Sequence, residues 1–144
     1  MKSDLIGKRI AGIDFGTKRI GVAVCDELHI SVKPVKTIHT DKDDIFESFT
    51  EIFRNERVEA CVIGMPETRD GKENAIAGKI RKMADTINKK FNLEIFFVDE
   101  SFSSKQAGGF MINYGIKKKS RAKKGMLDMY SAVIILEQFL SELE

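Results

Sequence analysis

The sequence has few of the residues that thiolate or histidine chemistry needs. Its 144 residues include two cysteines, two histidines and no tryptophan. Cys25 and Cys61 lie in apolar stretches without CxxC spacing, so we expect two buried free thiols rather than a zinc or redox site. His29 and His39 flank a predicted strand and share no ligand spacing. We interpret both histidines as ordinary residues at the edge of that strand.

Long apolar runs are also missing. No apolar segment approaches the roughly 20 residues that a bilayer-spanning helix needs, and the first residues lead into a strand pattern without a signal-peptide core. The composition, 42% hydrophobic and 32% charged, is that of a globular protein. We therefore expect one cytoplasmic domain over residues 1–144, with no membrane partner.

The net charge of +2 says little about partners, but its distribution says more. Six basic residues crowd into one short segment near the C-terminus: Lys117, Lys118, Lys119, Arg121, Lys123 and Lys124. Taken alone, this run is equally well explained as a solvated loop or as a surface that binds an anionic partner.

The N-terminal third of the chain has the pattern of three strands. Short β-branched stretches predict strands over residues 9–15 and 19–24, joined by a tight turn at 16–18. A third strand is predicted over residues 31–38, and Pro34 places it at a sheet edge, where a missing amide donor does least harm.

Helices and buried strands alternate in the rest of the chain. Apolar residues at helical spacing predict helices over 41–56, 76–91 and 126–143, and a further helix is predicted from Ser103 or Ser104 to Tyr114. Thr40 is the predicted N-cap of the first helix. Continuous apolar runs predict buried strands at 60–63, stopped by Gly64 to Pro66, and at 95–98. This order predicts an α/β fold, a mixed sheet with helices on both faces.

Three acidic residues lie where a carboxylate is hard to explain structurally. Asp14 is inside the first apolar strand, and Glu100 lies just past the end of the last buried strand. Asp128 shares the apolar stripe of the final helix with Ala132 and Ile135, so it should face the sheet. Each has an alternative explanation: Asp14 as a turn residue, Glu100 as a surface acid, and Asp128 as a residue that caps the helix or interacts with its dipole.

The topology favours convergence of the three acids. If the strands that precede Gly64 and Asp99 run parallel to the first strand, Asp14 and Glu100 emerge at the same sheet edge. A final helix across the sheet would add Asp128. Bound Mg²⁺ or Mn²⁺ would remove the repulsion between these carboxylates, and such a cluster suits metal-assisted phosphodiester cleavage. The sequence contains no competing assembly of Ser, His or Cys nucleophiles.

Four blocks of the sequence resemble the YqgF (RuvX) family. They are residues 9–24, residues 62–66 followed by Asp70-Gly71, residues 98–100 and residues 128–136. The resemblance implies an RNase H-like fold with a mixed five-stranded sheet in the order 3-2-1-4-5. It also implies metal-binding, catalytic acids at Asp14, Glu100 and Asp128.

The activity implied by the resemblance is that of a nuclease. Family members are described as nucleases that mature the 5′ end of precursor 16S rRNA, and as Holliday junction resolvases. The implied partner is therefore precursor rRNA, free or within the ribosomal subunit, or else branched DNA. A resolvase would act as a symmetric dimer, and the sequence leaves a monomer or a weak homodimer open.

Two departures from the family pattern affect the expected grip on substrate. Ser101 stands where the family usually has Arg, and residues 67–69 read Glu-Thr-Arg where it usually has Leu-Asn-Met. Arg69 could replace the lost phosphate contact, and Glu67 could supply another metal ligand. In the context of the resemblance, the basic run from Lys117 to Lys124 is predicted to hold a phosphate backbone, with contacts added by Lys18, Arg19 and Arg69.

Two other function classes compete with the nuclease interpretation. Asp14-Phe15-Gly16-Thr17 also looks like the first phosphate motif of actin- and hexokinase-like ATPases, but the chain is too short for their two domains and has no Walker A motif. The second alternative is a non-catalytic ribosome-assembly factor that binds RNA. Retention of all three acids argues against it, because an abandoned metal site would leave costly buried charge.

Overall fold

The computed structural model describes residues 2–66, 75–100 and 124–143. Its elements are a short 3-10 helix (Lys2–Leu5), β1 (Ile10–Phe15), β2 (Arg19–Cys25), β3 (Val32–His39), α1 (Ile45–Asn55), β4 (Ala60–Pro66), α2 (Ala75–Phe91), β5 (Glu94–Glu100) and α3 (Lys124–Leu143). The predicted helix at 103–114 lies outside the described residues, as do Glu67, Arg69, Ser101 and the basic residues from Lys117 to Lys123.

The strands form one five-stranded sheet in the order β3-β2-β1-β4-β5. β1 pairs antiparallel with β2 and parallel with β4, and β5 pairs parallel with β4. This arrangement confirms the predicted mixed sheet and its strand order. β3 lies at the edge, as Pro34 predicted, and its pairing with β2 shifts register next to that proline.

Helices cover both faces of the sheet, as predicted. Residues alternate along β1: Ala11 and Ile13 belong to the core beneath α1 and α2, whereas Ile10 belongs to the core beneath α3. The core beneath α1 and α2 includes stacked Phe49 and Phe53 rings with centroids 5.3 Å apart. Within the described ranges, no helix is both long enough and apolar enough to cross a bilayer.

The predicted start of the first helix was wrong. Asp44, not Thr40, is the N-cap of α1, and its Oδ1 accepts a hydrogen bond of 2.9 Å from the Glu47 amide. Thr40 is engaged elsewhere: its Oγ1 donates to the Thr17 carbonyl oxygen at 2.8 Å, and its amide donates to the Lys18 carbonyl oxygen at 3.0 Å. Thr40 therefore holds the β1–β2 turn instead of beginning a helix.

The predicted ends of the two buried strands were also wrong. β4 continues through Gly64 to Pro66, and β5 continues to Glu100. The two strands extend together because they pair in parallel, with Met65 opposite Asp99 and Pro66 opposite Glu100. Glu100 is thus the last residue of β5 rather than a residue beyond it.

Both cysteines are buried and free, as predicted. Burial raises the pKa of the Cys25 and Cys61 thiols, and thiol reagents attack the thiolate. In the native protein at pH 8 we expect both thiols to react with Ellman's reagent at least about 100-fold more slowly than in denaturant. Rapid reaction of one equivalent without denaturant would contradict the buried positions.

Candidate functional site

Asp14 lies at the carboxyl edge of the sheet, on the face that α3 covers. It is the fifth residue of β1, and its neighbour Ile13 points into the core beneath α1 and α2. Strand alternation therefore directs Asp14 to the opposite face. The Cα of Asp14 pairs with that of Gly21 on β2. The prediction that Asp14 belongs to the first strand is confirmed.

Asp128 reaches the same place because α3 lies directly on two glycines of the sheet. A Cβ atom added to Gly21 would overlap the carbonyl oxygen of Asp128, and one added to Gly12 would lie 2.8 Å from that of Ala132. No residue with a side chain fits at either position without moving the helix. Since Gly21 is the cross-strand partner of Asp14, the backbone of Asp128 lies over the strand position opposite Asp14, on the face to which the Asp14 side chain points.

Arg19 ties the hairpin to this helix. Its Nε donates to Oδ2 of Asp128 at 2.7 Å, joining residues 109 positions apart. The side chains of Arg19 and Asp128 are only 29% and 22% exposed. The prediction that Arg19 contacts nucleic acid stays a prediction, but the structure gives this residue another partner, which the sequence analysis missed.

Glu100 reaches the same edge of the sheet, and the structure gives its backbone alone. β1, β4 and β5 are parallel, so their carboxyl ends lie at one edge. Ile13, Ile63 and Phe97 are level across these strands, which places Glu100 two residues further along than Asp14. The intervening strand carries Gly64, which has no side chain, at the level of Asp14.

Two of the three predicted acids, Asp14 and Asp128, have their backbones next to Gly21. Among the described side chains, which include those of Asp14 and Asp128 but not that of Glu100, no three His, Cys, Asp or Glu residues form a group that could hold a metal ion. Asp14 and Asp128 are partly exposed and supply hard oxygen donors. This donor chemistry fits Mg²⁺ or Mn²⁺, which use a few carboxylates and keep several waters.

Comparison with protein families identifies the chain. Residues 8–142 match the family model described as "RuvX: Holliday junction resolvase". The chain belongs to the RuvX family. Its relatives include proteins named "Putative pre-16S rRNA nuclease" from Christiangramia forsetii, 38% identical over 93% of this chain and 98% of that protein, and from Flavobacterium johnsoniae, 37% identical over 92% and 96%.

Solved structures agree with the RNase H-like fold of this RuvX family member. A yeast mitochondrial Holliday junction resolvase superposes with a TM-score of 0.61 at 12% identity, covering 95% of this chain and 79% of that one. RuvC from T. thermophilus, solved in complex with a Holliday junction substrate, superposes with a TM-score of 0.56 at 17% identity, covering 94% and 95%.

Three of the predicted basic contacts of this RuvX family member fall within the described residues: Arg19, Lys18 and Lys124. Lys18 is exposed in the β1–β2 turn, four residues after Asp14, and this turn is closed by a hydrogen bond of 2.9 Å from the Gly16 amide to the Arg19 carbonyl oxygen. Lys124 is the first residue of α3, four residues before Asp128. Their predicted roles in nucleic-acid binding stay predictions.

The sequence analysis also missed an apolar groove of about 470 Å³ beside the β1–β2 turn. Its lining includes Phe15, Ile45, Phe46, Ile76 and Met83, together with Lys79 and Lys82. The groove lies between α1 and α2, on the opposite face of the sheet from α3, so it is separate from Asp14 and Asp128.

Proposed function

We propose that the chain is a metal-dependent nuclease that hydrolyses phosphodiester bonds, with Asp14, Glu100 and Asp128 as catalytic acids and ligands of Mg²⁺ or Mn²⁺. One observation supports the proposal: in a RuvX family member, the backbone of Asp128 in α3 lies on Gly21, the cross-strand partner of Asp14, near the carboxyl ends of the parallel strands. Adjacent carboxylates repel each other, and a divalent cation offsets that repulsion.

When bound, a divalent ion supplies a nucleophilic water and stabilises the leaving oxygen. The residues of the chain provide the frame for this chemistry. Asp14 is held by the β1–β2 pairing and Asp128 by the contact of α3 with Gly21, so neither acid depends on a loop for its position. Arg19 fixes the orientation of the Asp128 carboxylate through its Nε.

Precursor 16S rRNA is the substrate that the relatives favour. Relatives named "Putative pre-16S rRNA nuclease", from Christiangramia forsetii, Flavobacterium johnsoniae and Lactococcus lactis among others, are 33–38% identical to the chain and match at least 92% of it. Such a substrate implies a cytoplasmic protein whose partner is rRNA, free or in the ribosomal subunit. A second candidate substrate is a four-way DNA junction, favoured by the description of the family and by the superposition on two resolvases.

Cleavage of a substrate panel tests the proposal and selects the substrate. The panel contains labelled precursor 16S rRNA, single-stranded DNA and a four-way junction, each incubated with Mn²⁺. Specific cutting of the precursor supports rRNA maturation. Cutting of the junction alone, by a protein that is dimeric on sizing, supports a resolvase. RNA binding without cleavage of any substrate would favour a non-catalytic assembly factor.

The basic run is expected to bind the phosphate backbone. Replacing Lys117, Lys118, Lys119, Lys123 and Lys124 together by Ala should weaken RNA binding and flatten the dependence of log Kd on log salt by roughly 0.7 per lost contact. The measurement is fluorescence anisotropy with labelled precursor RNA at several salt concentrations. The matched control replaces Lys36, Lys42, Lys79, Lys82 and Lys89 by Ala, which removes the same charge elsewhere. An unchanged affinity and slope in the first variant would exclude the run from binding.

A further inference from the structure

Arg19 occupies an unusual place for a cation next to a proposed metal site. It is the first residue of β2, and strand alternation puts it on the α3 face, because its neighbour Ile20 lies in the core beneath α1 and α2. The base of its side chain is fixed by the closed β1–β2 turn, which Thr40 also holds. Arg19 therefore approaches Asp128 from a fixed position.

The ion pair between Arg19 and Asp128 is well sheltered. The 2.7 Å bond is a charge-assisted hydrogen bond, and more than two thirds of each side chain is covered. The bond joins one guanidinium nitrogen to one of the two carboxylate oxygens. Asp14 adds a second negative charge on the same face, at the cross-strand partner of Gly21. Arg19 thus places one positive charge directly against the carboxylate of Asp128, a proposed metal ligand.

We propose that Arg19 is a built-in counter-ion, a positioning residue that stabilises the metal-free site and opposes metal binding. The inference rests on the proposed function, since it concerns the same acids. Without metal, the guanidinium offsets the repulsion between Asp14 and Asp128. With metal, a divalent cation takes over this role, and the positive charge of Arg19 repels it. One charge therefore has opposite effects on the two states, which restrains metal uptake until the cation is abundant.

The expected effect of removing this charge is tighter metal binding. Arg19→Gln should lower the Kd for Mn²⁺ by roughly tenfold, the order expected for a unit charge acting on a dication near a protein surface. Arg19→Lys retains the charge and should stay within about threefold of the wild-type Kd. In EDTA, the Tm of Arg19→Gln should fall below that of Arg19→Lys, and the rise in Tm on adding Mn²⁺ should be larger for Arg19→Gln.

Arg9 provides a matched control. Arg9 immediately precedes β1, at the end of that strand opposite to Asp14. Its side chain is 21% exposed, and it pairs with Glu56 and Glu27 at 3.4 and 3.5 Å. Arg9→Gln removes the same charge from a similar ion pair far from Asp128. Its Kd for Mn²⁺ should equal that of the wild type.

Calorimetric titration of the full chain with Mn²⁺, after removal of bound metal by EDTA, is the deciding measurement. The counter-ion role is supported if Arg19→Gln binds Mn²⁺ more tightly than the wild type, while the Kd values of Arg19→Lys and Arg9→Gln stay near that of the wild type. Equal or weaker binding by Arg19→Gln overturns it. Failure of the proposed function gives a different result. In that case the wild type binds no Mn²⁺, or Asp14→Asn and Asp128→Asn bind Mn²⁺ as tightly as the wild type. Either result would also overturn the counter-ion role of Arg19.

Discussion

Replacing Gly21 by Ala is expected to lower the free energy of unfolding by at least about 3 kcal/mol. The added methyl group would overlap the backbone carbonyl oxygen of Asp128, which cannot rotate away as a side chain can. Relief of the clash requires α3 to move off the sheet, and α3 covers one whole core with Ile135 and Phe139. Urea unfolding, monitored by circular dichroism, measures the effect.

Gly78 offers a matched control for this substitution. It lies in α2, where an added Cβ atom meets nothing within 4 Å. Gly78→Ala should therefore raise stability by about 0.5–1 kcal/mol, because alanine loses less backbone entropy in a helix. A Gly21→Ala protein as stable as the wild type would show that α3 does not lie on β2 as described. The placement of Asp128 opposite Asp14 would then be contradicted as well.

The largest expected effect on activity comes from the two acids. Asp14→Asn and Asp128→Asn should each reduce the single-turnover cleavage rate at least about 1,000-fold, equivalent to about 4 kcal/mol of transition-state stabilisation. The double variant should be little worse than either single variant, because residues that serve one metal site act as a unit. The measurement uses whichever labelled substrate the wild type cleaves, with Mn²⁺ present and circular dichroism to confirm folding.

Asp85→Asn is the control for the acid substitutions. Asp85 is exposed on α2, on the other face of the sheet, and pairs with Lys89 at 3.0 Å. Removing that surface charge should leave the cleavage rate within about twofold of the wild type. Losses in Asp14→Asn and Asp128→Asn that multiply in the double variant would indicate two independent contributions, which contradicts a shared site.

The sequence predicted the sheet well because its signals are local. The alternation in β1 and β2, the proline of β3 and the apolar run of β4 each lie within a few residues. The ends of elements were less predictable, because they depend on distant partners. Thr40 fits the local pattern of a helix cap, but its hydroxyl donates to the carbonyl oxygen of Thr17, 23 residues earlier. β5 extends to Glu100 because β4 lies beside it, which no local pattern reveals.

The sequence predicted which acids belong to the candidate site, but not which contacts hold them in position. Asp128 was expected to face the sheet, and its carboxylate accepts a hydrogen bond from Arg19, the first residue of β2. The ion pair with Arg19 joins residues 109 positions apart and has no local signature. One available signal was missed: Gly12 and Gly21 lie inside strands, where glycine indicates close approach of another backbone.

Restoring metal to the stripped protein tests the central claim most directly. The wild type and Asp14→Asn are purified in EDTA, and cleavage of 5′-labelled precursor 16S rRNA is followed before and after addition of excess Mn²⁺. We expect no cleavage by either protein in EDTA, specific cleavage by the wild type once Mn²⁺ is present, and none by Asp14→Asn. Cleavage by the wild type in EDTA, or equal cleavage by Asp14→Asn with Mn²⁺, would contradict a metal-dependent nuclease site at Asp14.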